Sequence, residues 1–383
     1  MSSLPLTAYV HLPWCVKKCP YCDFNSHPGQ ADEAAYVAAL LADLKYETAS
    51  SPPLPALRAV FFGGGTPSLF SARAIGRILE ALEAELSFAP GVEITLEANP
   101  GTTDAANFRG YRAAGVNRLS IGVQSFSDAQ LRQLGRIHDA AAAQAAFSQA
   151  RRAGFDNINL DLMYGLPQQS PAQAREDIEA ALALGPEHLS WYQLTLEPGT
   201  AFGRRPPALP DEDHCAEIEA TGLRILRRAG YRRYEVSAFA QAGHRSQHNL
   251  NYWRFGDYLG LGAGAHGKLT VAGQVRRRAR LRSPARYMAT AGSAAAVARE
   301  HTPTAGELAA EFALNALRVD RAFTRRRFES RTGLNYARLL PAIREAEALA
   351  LARQSRAGLQ VTALGRRHLN RLTECFAEIP GIQ

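Results

Sequence analysis

The chain has 383 residues, 46% of them hydrophobic and 21% charged. It is therefore long enough for about two or three folded domains and is not disordered over most of its length. No run of about 18 apolar residues predicts a membrane-spanning helix. The first residues lack the basic and apolar regions of a signal peptide. The net charge of +8 is carried mainly by arginine, and five cysteines in a chain without a secretion signal argue against a disulfide framework. We expect a cytosolic protein.

Strands and helices alternate in the pattern of the first 240 residues. The strands are predicted at Thr7–Trp14, Arg58–Phe62, Val92–Ala98, Asn117–Val123, Asn157–Tyr164 and His188–Leu196. The helices that follow them are predicted at Asp32–Thr48, Ser71–Leu86, Asp104–Ala114, Asp128–Leu134, Asp139–Ala153, Pro171–Leu184 and Asp211–Ala229. Such a chain forms a parallel sheet covered by helices. Either a partial (βα)6 barrel or an open doubly wound sheet fits this pattern.

The alternation stops after residue 240, so we divide the chain into three parts. Residues 1–240 form the α/β domain, and residues 241–304 form a segment rich in Gly, aromatic residues and His, with a linker. An arginine-rich run at 276–282 lies in this segment, and a solvated surface explains it best. Residues 305–383 predict short helices and one strand, Gly358–Val361, in the order of a winged-helix-like domain. Such a domain is either a structural module or a nucleic-acid-binding unit, and we favour the structural module.

Three cysteines, Cys15, Cys19 and Cys22, follow the first predicted strand with the spacing C-x3-C-x2-C. A zinc site would need a fourth ligand, and only His11 or His27 is close enough in sequence. A Cys19–Cys22 redox pair would leave Cys15 without a role. Three thiolates can also hold a [4Fe–4S] cluster and leave one iron open to a further ligand. We favour the cluster.

Further candidate residues lie where predicted strands end, which is where parallel α/β folds bind ligands. A glycine triplet follows the second strand and includes Gly64 and Gly65 before Thr66. Its amides could cradle an anion, although a tight turn explains it equally well. Polar side chains at or just beyond later strand ends are Glu97, Gln124, Arg136 and Asp161. Taken singly, each of these four is more often structural.

The cysteine spacing in a six-unit βα chain resembles the radical S-adenosylmethionine (SAM) superfamily. That resemblance implies a partial (βα)6 TIM-like barrel, a [4Fe–4S] cluster held by the three cysteines, and SAM bound at the open iron. The polar positions match, in order, those of the anaerobic coproporphyrinogen dehydrogenase branch. The resemblance therefore assigns a set of residues to SAM: Tyr9, Tyr21, Gly64, Gly65, Thr66, Glu97, Gln124, Arg136 and Asp161.

Two departures from the dehydrogenase pattern point to its sister group, the HemW-type heme chaperones. The dehydrogenases carry a fourth cysteine two positions after the third, where this chain has Phe24, and they have a longer arm before the first strand. The sister group also carries an H-N-x-x-Y-W motif, present here as His248-Asn249-Leu-Asn-Tyr252-Trp253. The resemblance makes His248 the candidate heme-iron ligand, with Tyr252 and Trp253 against the porphyrin. His244 and His266 compete for the ligand role.

The function implied by the resemblance is a chaperone that binds a [4Fe–4S] cluster, SAM and heme and delivers heme to hemoproteins, including respiratory proteins at the membrane. Homodimer formation and peripheral membrane contact occur in that group and are not legible in this sequence. One alternative is an enzyme, an oxygen-independent coproporphyrinogen III dehydrogenase that uses a SAM-derived radical. A lower-ranked alternative is a nucleic-acid-binding protein, but no basic stripe interleaved with aromatic residues supports it.

Overall fold

The computed structural model describes residues 4–102, 105–320, 323–356 and 358–377. The first residue of the helix expected at Asp104–Ala114 and both ends of the chain lie outside these ranges. No helix in the described ranges is both long enough and apolar enough to cross a bilayer.

The strands carry labels in chain order. They are β1 Leu6–Leu12, β2 Trp14–Cys15, β3 His27–Pro28, β4 Leu57–Gly64, β5 Phe88–Ala98, β6 Arg118–Gln124, β7 Ile158–Tyr164, β8 His188–Gln193, β9 Arg232–Arg233, β10 Ala238–Ala240, β11 Asp257–Leu261, β12 His266–Val271, β13 Gln274–Arg280, β14 Val297–His301, β15 Ala352–Ser355 and β16 Gly358–Val361.

The α-helices are labelled in the same way. They are α1 Glu33–Ala49, α2 Ala72–Leu86, α3 Ala105–Ala113, α4 Asp128–Gln133, α5 Ala140–Arg152, α6 Pro171–Leu184, α7 Ala201–Arg204, α8 Glu212–Arg228, α9 Gln247–Trp253, α10 Pro284–Thr290, α11 Ala305–Ala316, α12 Arg325–Thr332, α13 Leu340–Ala348, α14 Ala363–Arg367 and α15 Leu369–Glu374. The six predicted strands and the helices between them are therefore present, with small differences at their ends.

One twelve-stranded sheet contains most of the strands, in the order β14-β13-β12-β11-β1-β4-β5-β6-β7-β8-β10-β9. The pairs from β1 through β4, β5, β6 and β7 to β8 are all parallel. Helices separate these strands along the chain, as parallel connections require. These six parallel strands lie side by side in chain order, as in a partial barrel, and without the reversal of order that a doubly wound sheet has.

The sheet continues past residue 240, in a segment for which we predicted no strand. Strand β11 pairs in parallel with the outer side of β1, with Tyr9 opposite Gly260. Strands β12, β13 and β14 then extend the sheet in antiparallel fashion. The middle segment is thus part of the same sheet as the first domain, and the proposed three-part division stays a prediction.

Alternating side chains on β1 fix which face the helices cover. Leu6, Ala8, Val10 and Leu12 are fully buried in the main hydrophobic core between sheet and helices. The residues between them point to the other face of the sheet, because successive strand residues alternate. Helix α2 has a capped first turn. The Ser71 side chain accepts a hydrogen bond from the Ala74 amide at 3.1 Å.

The arginine-rich run forms β13 and is not the solvated surface that we expected. Arg280 is buried, and its guanidinium lies 2.7 Å from Asp43 and 2.6 Å from Glu47, both on α1. Arg278 also contacts Glu47, at 3.1 Å. The run therefore joins the edge of the sheet to the first helix.

The C-terminal residues have a hydrophobic core of their own, built around Phe312, Phe323 and Phe328 from α11, α12 and the segment between them. Strands β15 and β16 form a separate antiparallel hairpin. The predicted strand Gly358–Val361 is present, and its partner β15 was not predicted. Phe255, between α9 and β11, and Val275 of β13 pack into the same core and connect the two parts.

Candidate cofactor-binding site

A cavity of about 290 Å³ opens at the carboxyl ends of the parallel strands, and all three clustered cysteines line it. Cys15 ends β2, which pairs with β3 and so closes the cysteine loop at its base. The Cys22 amide donates to the Cys19 carbonyl at 3.1 Å and turns the loop between these two residues. All three are free thiols, and burial raises the pKa of Cys15. Three sulfur donors from one short loop are the set that a [4Fe–4S] cluster requires.

His11 holds the cysteine loop on the barrel. Its Nε2 donates to the Asn25 carbonyl at 2.9 Å, and its Nδ1 accepts from the Tyr9 hydroxyl at 2.9 Å. Burial lowers the pKa of His11, so the ring is neutral, and these two bonds fix its tautomer. With both ring nitrogens in use, His11 is not free to be the fourth ligand of a zinc ion. His27, the other candidate, contacts the Asn25 side-chain oxygen at 3.2 Å through Nε2.

No group of three or more His, Cys, Asp or Glu side chains in the described ranges converges as the ligands of a single metal ion would. The three thiols of the cysteine loop therefore line the cavity without converging on one point.

The glycine loop packs directly against the cysteine loop. Gly64 has a φ of +121°, and a Cβ on it would lie 2.7 Å from the His11 ring. A Cβ on Gly65 would lie 2.4 Å from the Trp14 carbonyl oxygen, so neither position accepts a side chain. The amides of Gly65 and Thr66 donate to the carbonyls of Leu12 and Trp14. All three residues predicted here line the cavity, but these amides are used within the protein and not held ready for an anion.

Glu97 brings a carboxyl group to the cavity from the end of β5, and Asp161 brings another from the middle of β7, not from the strand end expected from the sequence. The Gly64 amide donates to Glu97 at 3.3 Å, and the Ser120 hydroxyl donates to Asp161 at 2.9 Å. Burial, with a smaller contribution from the charge of Asp161, raises the pKa of Glu97 to about 8. Burial also raises the pKa of Asp161. Such a pair favours a ligand that brings hydroxyl donors or positive charge.

Gln124 and Arg136 complete the predicted set in this cavity. Gln124 has a left-handed φ of 70° where the pairing of β6 with β7 shifts register, so its side chain is turned away from the regular alternation. The Tyr192 hydroxyl donates to the Gln124 side-chain oxygen at 2.8 Å. Arg136 donates to the Gly122 carbonyl at 2.7 Å. Its Nε is buried and has no acceptor among the described residues.

The two tyrosines assigned to SAM lie in different places. Tyr21 lines the cavity and packs near Phe202, with ring centres 6.5 Å apart. Tyr9 is not part of the cavity lining and lies beside Phe61, at 6.3 Å between ring centres. Tyr9 therefore supports the site through its hydrogen bond to His11.

Several lining residues were not predicted. Lys17, Lys18, Phe24, Asn99, Ser120 and Tyr192 belong to this group. Ser120 and Tyr192 could have been found, because they lie on β6 and β8, the two neighbours of β7. Ser120 pairs with Glu97, and Tyr192 lies two residues beyond Ser190, which pairs with Asp161.

The three residues of the H-N-x-x-Y-W motif that are predicted to contact heme lie apart from the cysteine cavity, on α9. His248 is buried, and its ring centre lies 5.0 Å from that of Phe61 and 6.2 Å from that of Tyr9. Its Nε2 has no hydrogen-bond partner among the described residues, and burial lowers the pKa of His248 to about 4. Tyr252 is partly exposed at 36%, and the Trp253 ring packs under Arg318 at 5.0 Å. The structure thus places His248 in the protein interior and Tyr252 at the surface.

Comparison with known proteins assigns the family. The sequence profile of the radical SAM superfamily matches residues 9–181. Heme chaperone HemW of Haemophilus influenzae is 44% identical, over 97% of this chain and 98% of that protein. Heme chaperone HemW of Escherichia coli is 45% identical over the same shares of the two chains. The chain belongs to the HemW family of radical SAM proteins.

A solved structure agrees with this family. Coproporphyrinogen III oxidase (HemN) from Escherichia coli, described as a radical SAM enzyme, superposes with a TM-score of 0.82 at 25% identity. The match covers 98% of this chain and 90% of HemN. Membership of the HemW family confirms the expected cofactors, a [4Fe–4S] cluster and SAM. The assignment of individual residues to these cofactors remains a proposal.

Proposed function

We propose that this protein is a heme chaperone, which binds heme and hands it to hemoproteins. The observation that carries the proposal is the match to HemW proteins over nearly the whole length of both chains. The cysteine cavity supports it, because three thiols and a set of buried polar groups meet there.

In this proposal Cys15, Cys19 and Cys22 bind three irons of the cluster and leave one iron for SAM. The bound cluster supplies a one-electron reductant next to SAM. The protein positions both. His11 and the glycine loop hold the cysteine loop in place, and Arg136 sets positive charge beside a cluster sulfur. Most of the remaining residues assigned to SAM line the cavity in which it would bind: Tyr21, Gly64, Gly65, Thr66, Glu97, Gln124 and Asp161. Tyr9, also assigned to SAM, acts on this site through its hydrogen bond to His11.

We further propose His248 as a ligand of heme iron, with Tyr252 and Trp253 close to the porphyrin. The support from chemistry is that the His248 imidazole is neutral at physiological pH and its Nε2 is not engaged. Because the ring is buried, heme must reach it through a movement of α9. Heme-accepting proteins are the partners, including respiratory proteins at the membrane. A cytosolic location with peripheral membrane contact, and a homodimer, are part of the same proposal.

A direct test uses protein reconstituted anaerobically with iron and sulfide. It is titrated with hemin and then mixed with the heme-free form of a b-type hemoprotein. We expect a Soret band on the first addition and its conversion to the acceptor's spectrum on the second. Absence of heme binding, or heme that stays on this protein with an excess of acceptor, would overturn the proposal.

The second candidate function is oxidative decarboxylation of coproporphyrinogen III, favoured by the likeness to HemN. Phe24 argues against it, because this residue lines the cavity and is 63% exposed where the dehydrogenase pattern has a cysteine. Incubation with coproporphyrinogen III, SAM and a reductant distinguishes the two. Formation of protoporphyrinogen IX would establish the enzyme.

A further inference from the structure

A second cleft, of about 1350 Å³, lies between the barrel and the C-terminal residues. It is bounded by the start of β1, the loop 52–55 that precedes β4, the turn between β12 and β13, residues within 324–340, and the residues 354–356 and 358. Since Leu6 begins β1, the cleft is at the amino end of the parallel strands, opposite the cysteine cavity. Its volume exceeds the roughly 300–1,000 Å³ of ordinary small-molecule pockets, so it has room for a large ligand.

The walls of this cleft are of two kinds. The barrel side presents Leu4 and the apolar loop Pro52-Pro53-Leu54-Pro55. The C-terminal side adds apolar surface from Ala337 and Leu340. Such surface favours an apolar ligand, because contact removes both from water.

The rim of the cleft is basic. Four arginines line it, at 325, 326, 331 and 356. Arg325 is paired with Glu329 at 2.9 Å, and the lining carboxylate of Asp257 is paired with Lys268 at 2.7 Å. Within the described part of the chain, no ion pair includes Arg326, Arg331 or Arg356, although the carboxylate of Asp257 is near enough to Arg331 to act on it electrostatically. Nη1 of Arg331 is also buried without a hydrogen-bond acceptor there. The cleft therefore carries positive charge that the protein does not neutralise.

We propose that this cleft binds a tetrapyrrole dicarboxylate, with the macrocycle against the proline loop and the two propionates at Arg326, Arg331 and Arg356. The inference rests on the proposed heme-chaperone function and names a second site for the cargo, apart from the one at His248. A tetrapyrrole combines a wide apolar plate with two carboxylates at one edge, which matches apolar walls and a basic rim. Arginine is well suited to carboxylates, because it can bind both oxygens of one group.

The lining also indicates how the ligand is held. Heme iron in proteins is bound by His, Cys, Met or Tyr. Among the described residues of the lining, only Tyr336 belongs to these types. Binding in the cleft therefore depends on the propionates and the apolar face more than on the iron. A metal-free porphyrin should bind in the cleft about as well as heme does there. Cargo held without a strong iron ligand is also easier to release to an acceptor.

The test is titration of the full-length protein with metal-free protoporphyrin IX, followed by porphyrin fluorescence. The double variant Arg326→Glu/Arg356→Glu changes two exposed side chains, so the fold should be kept. We expect its dissociation constant to rise about tenfold or more. Arg109→Glu, an exposed arginine of α3, is the matched control and should bind like the unchanged protein.

A second arm changes the ligand and leaves the protein intact. The porphyrin with both propionates esterified should bind the unchanged protein about as weakly as the acid binds the double variant. Equal binding of acid and ester, or equal weakening by the control variant, would overturn the cleft assignment. Displacement of the porphyrin by an equimolar amount of oleate would also overturn it and indicate a fatty carboxylate as occupant.

Failure of this inference can be distinguished from failure of the proposed function. If the unchanged protein binds hemin and transfers it, but the double variant binds protoporphyrin IX normally, the cleft is wrong and the chaperone stands. If the unchanged protein binds neither hemin nor protoporphyrin IX, both fall.

Discussion

Arg136 donates from Nη1 to the sulfur of Cys19 at 3.7 Å. The sequence resemblance assigned this arginine to SAM, whereas the structure brings its guanidinium to one of the proposed cluster ligands. The second nitrogen, Nη2, is tied to the Gly122 carbonyl, so the group is held in this position. A fixed positive charge at a cluster sulfur stabilises the state with more negative charge.

We predict that Arg136→Gln lowers the midpoint potential of the [4Fe–4S] cluster by on the order of 50 mV, because one nearby positive charge is lost in a partly buried site. Redox titration monitored by EPR measures this change. Arg132→Gln, on the exposed side of α4, is the control and should leave the potential unchanged. An unaltered potential in Arg136→Gln would restrict this residue to SAM or to the fold.

The raised pKa of Glu97, about 8, predicts a pH dependence of stability. Between the usual value near 4.5 and 8, the unfolded chain loses this proton while the folded chain keeps it. The free energy of unfolding of cluster-free protein therefore falls as the pH rises through this window. Glu97→Gln stays neutral and should be more stable than the unchanged protein at pH 8 by on the order of 4 kcal/mol, with a difference of about 1 kcal/mol at pH 5.

Urea unfolding at the two pH values measures the Glu97 effect. Glu80→Gln, at an exposed position of α2, is the control and should not change the slope with pH. A constant difference between Glu97→Gln and the unchanged protein at both values would show that the Glu97 proton is not retained on folding.

Much of the barrel could be predicted from the sequence, because hydrophobic strands and amphipathic helices alternate locally. The end of β5 at Glu97 and the position of Asp161 on β7 followed from that alternation. Strand β11 could not be predicted in this way, because its pairing with β1 joins residues about 250 positions apart, such as Tyr9 and Gly260. The burial of His248 could not be predicted for the same reason, because it packs against Phe61 and Tyr9, which are distant in sequence.

The arginine-rich strand β13 shows a different limit of sequence analysis. Its charges suggested a surface, but the partners of the buried Arg280 lie on α1, where Asp43 and Glu47 are one helical turn apart and face the same side. That spacing was visible in the sequence, whereas the contact between the two elements was not.

We predict that Arg280→Met destabilises the protein by about 3–5 kcal/mol, because it leaves the buried carboxylate of Asp43 without its cationic partner and removes one of the arginines that contact Glu47. Chemical denaturation measures the loss. Arg299→Met, on the exposed face of the neighbouring strand β14, should change stability by no more than about 0.5 kcal/mol. Equal effects of the two substitutions would contradict the role of the buried ion pairs.

Substitution of His248 distinguishes ligation of the heme iron from binding of the porphyrin ring. If its Nε2 binds heme iron, His248→Ala should weaken ferric heme binding about tenfold and shift the Soret band. Metal-free protoporphyrin IX should bind as before, because it has no iron to coordinate. Since the pKa of His248 is lowered to about 4 by burial, the ligand stays neutral and heme affinity should not fall between pH 8 and pH 6 on its account. His266→Ala removes an exposed histidine that competes for the role and should keep the original spectrum. Equal weakening of heme and of the metal-free porphyrin in His248→Ala would mean that this ring acts by packing against Phe61 and Tyr9 and not as a ligand.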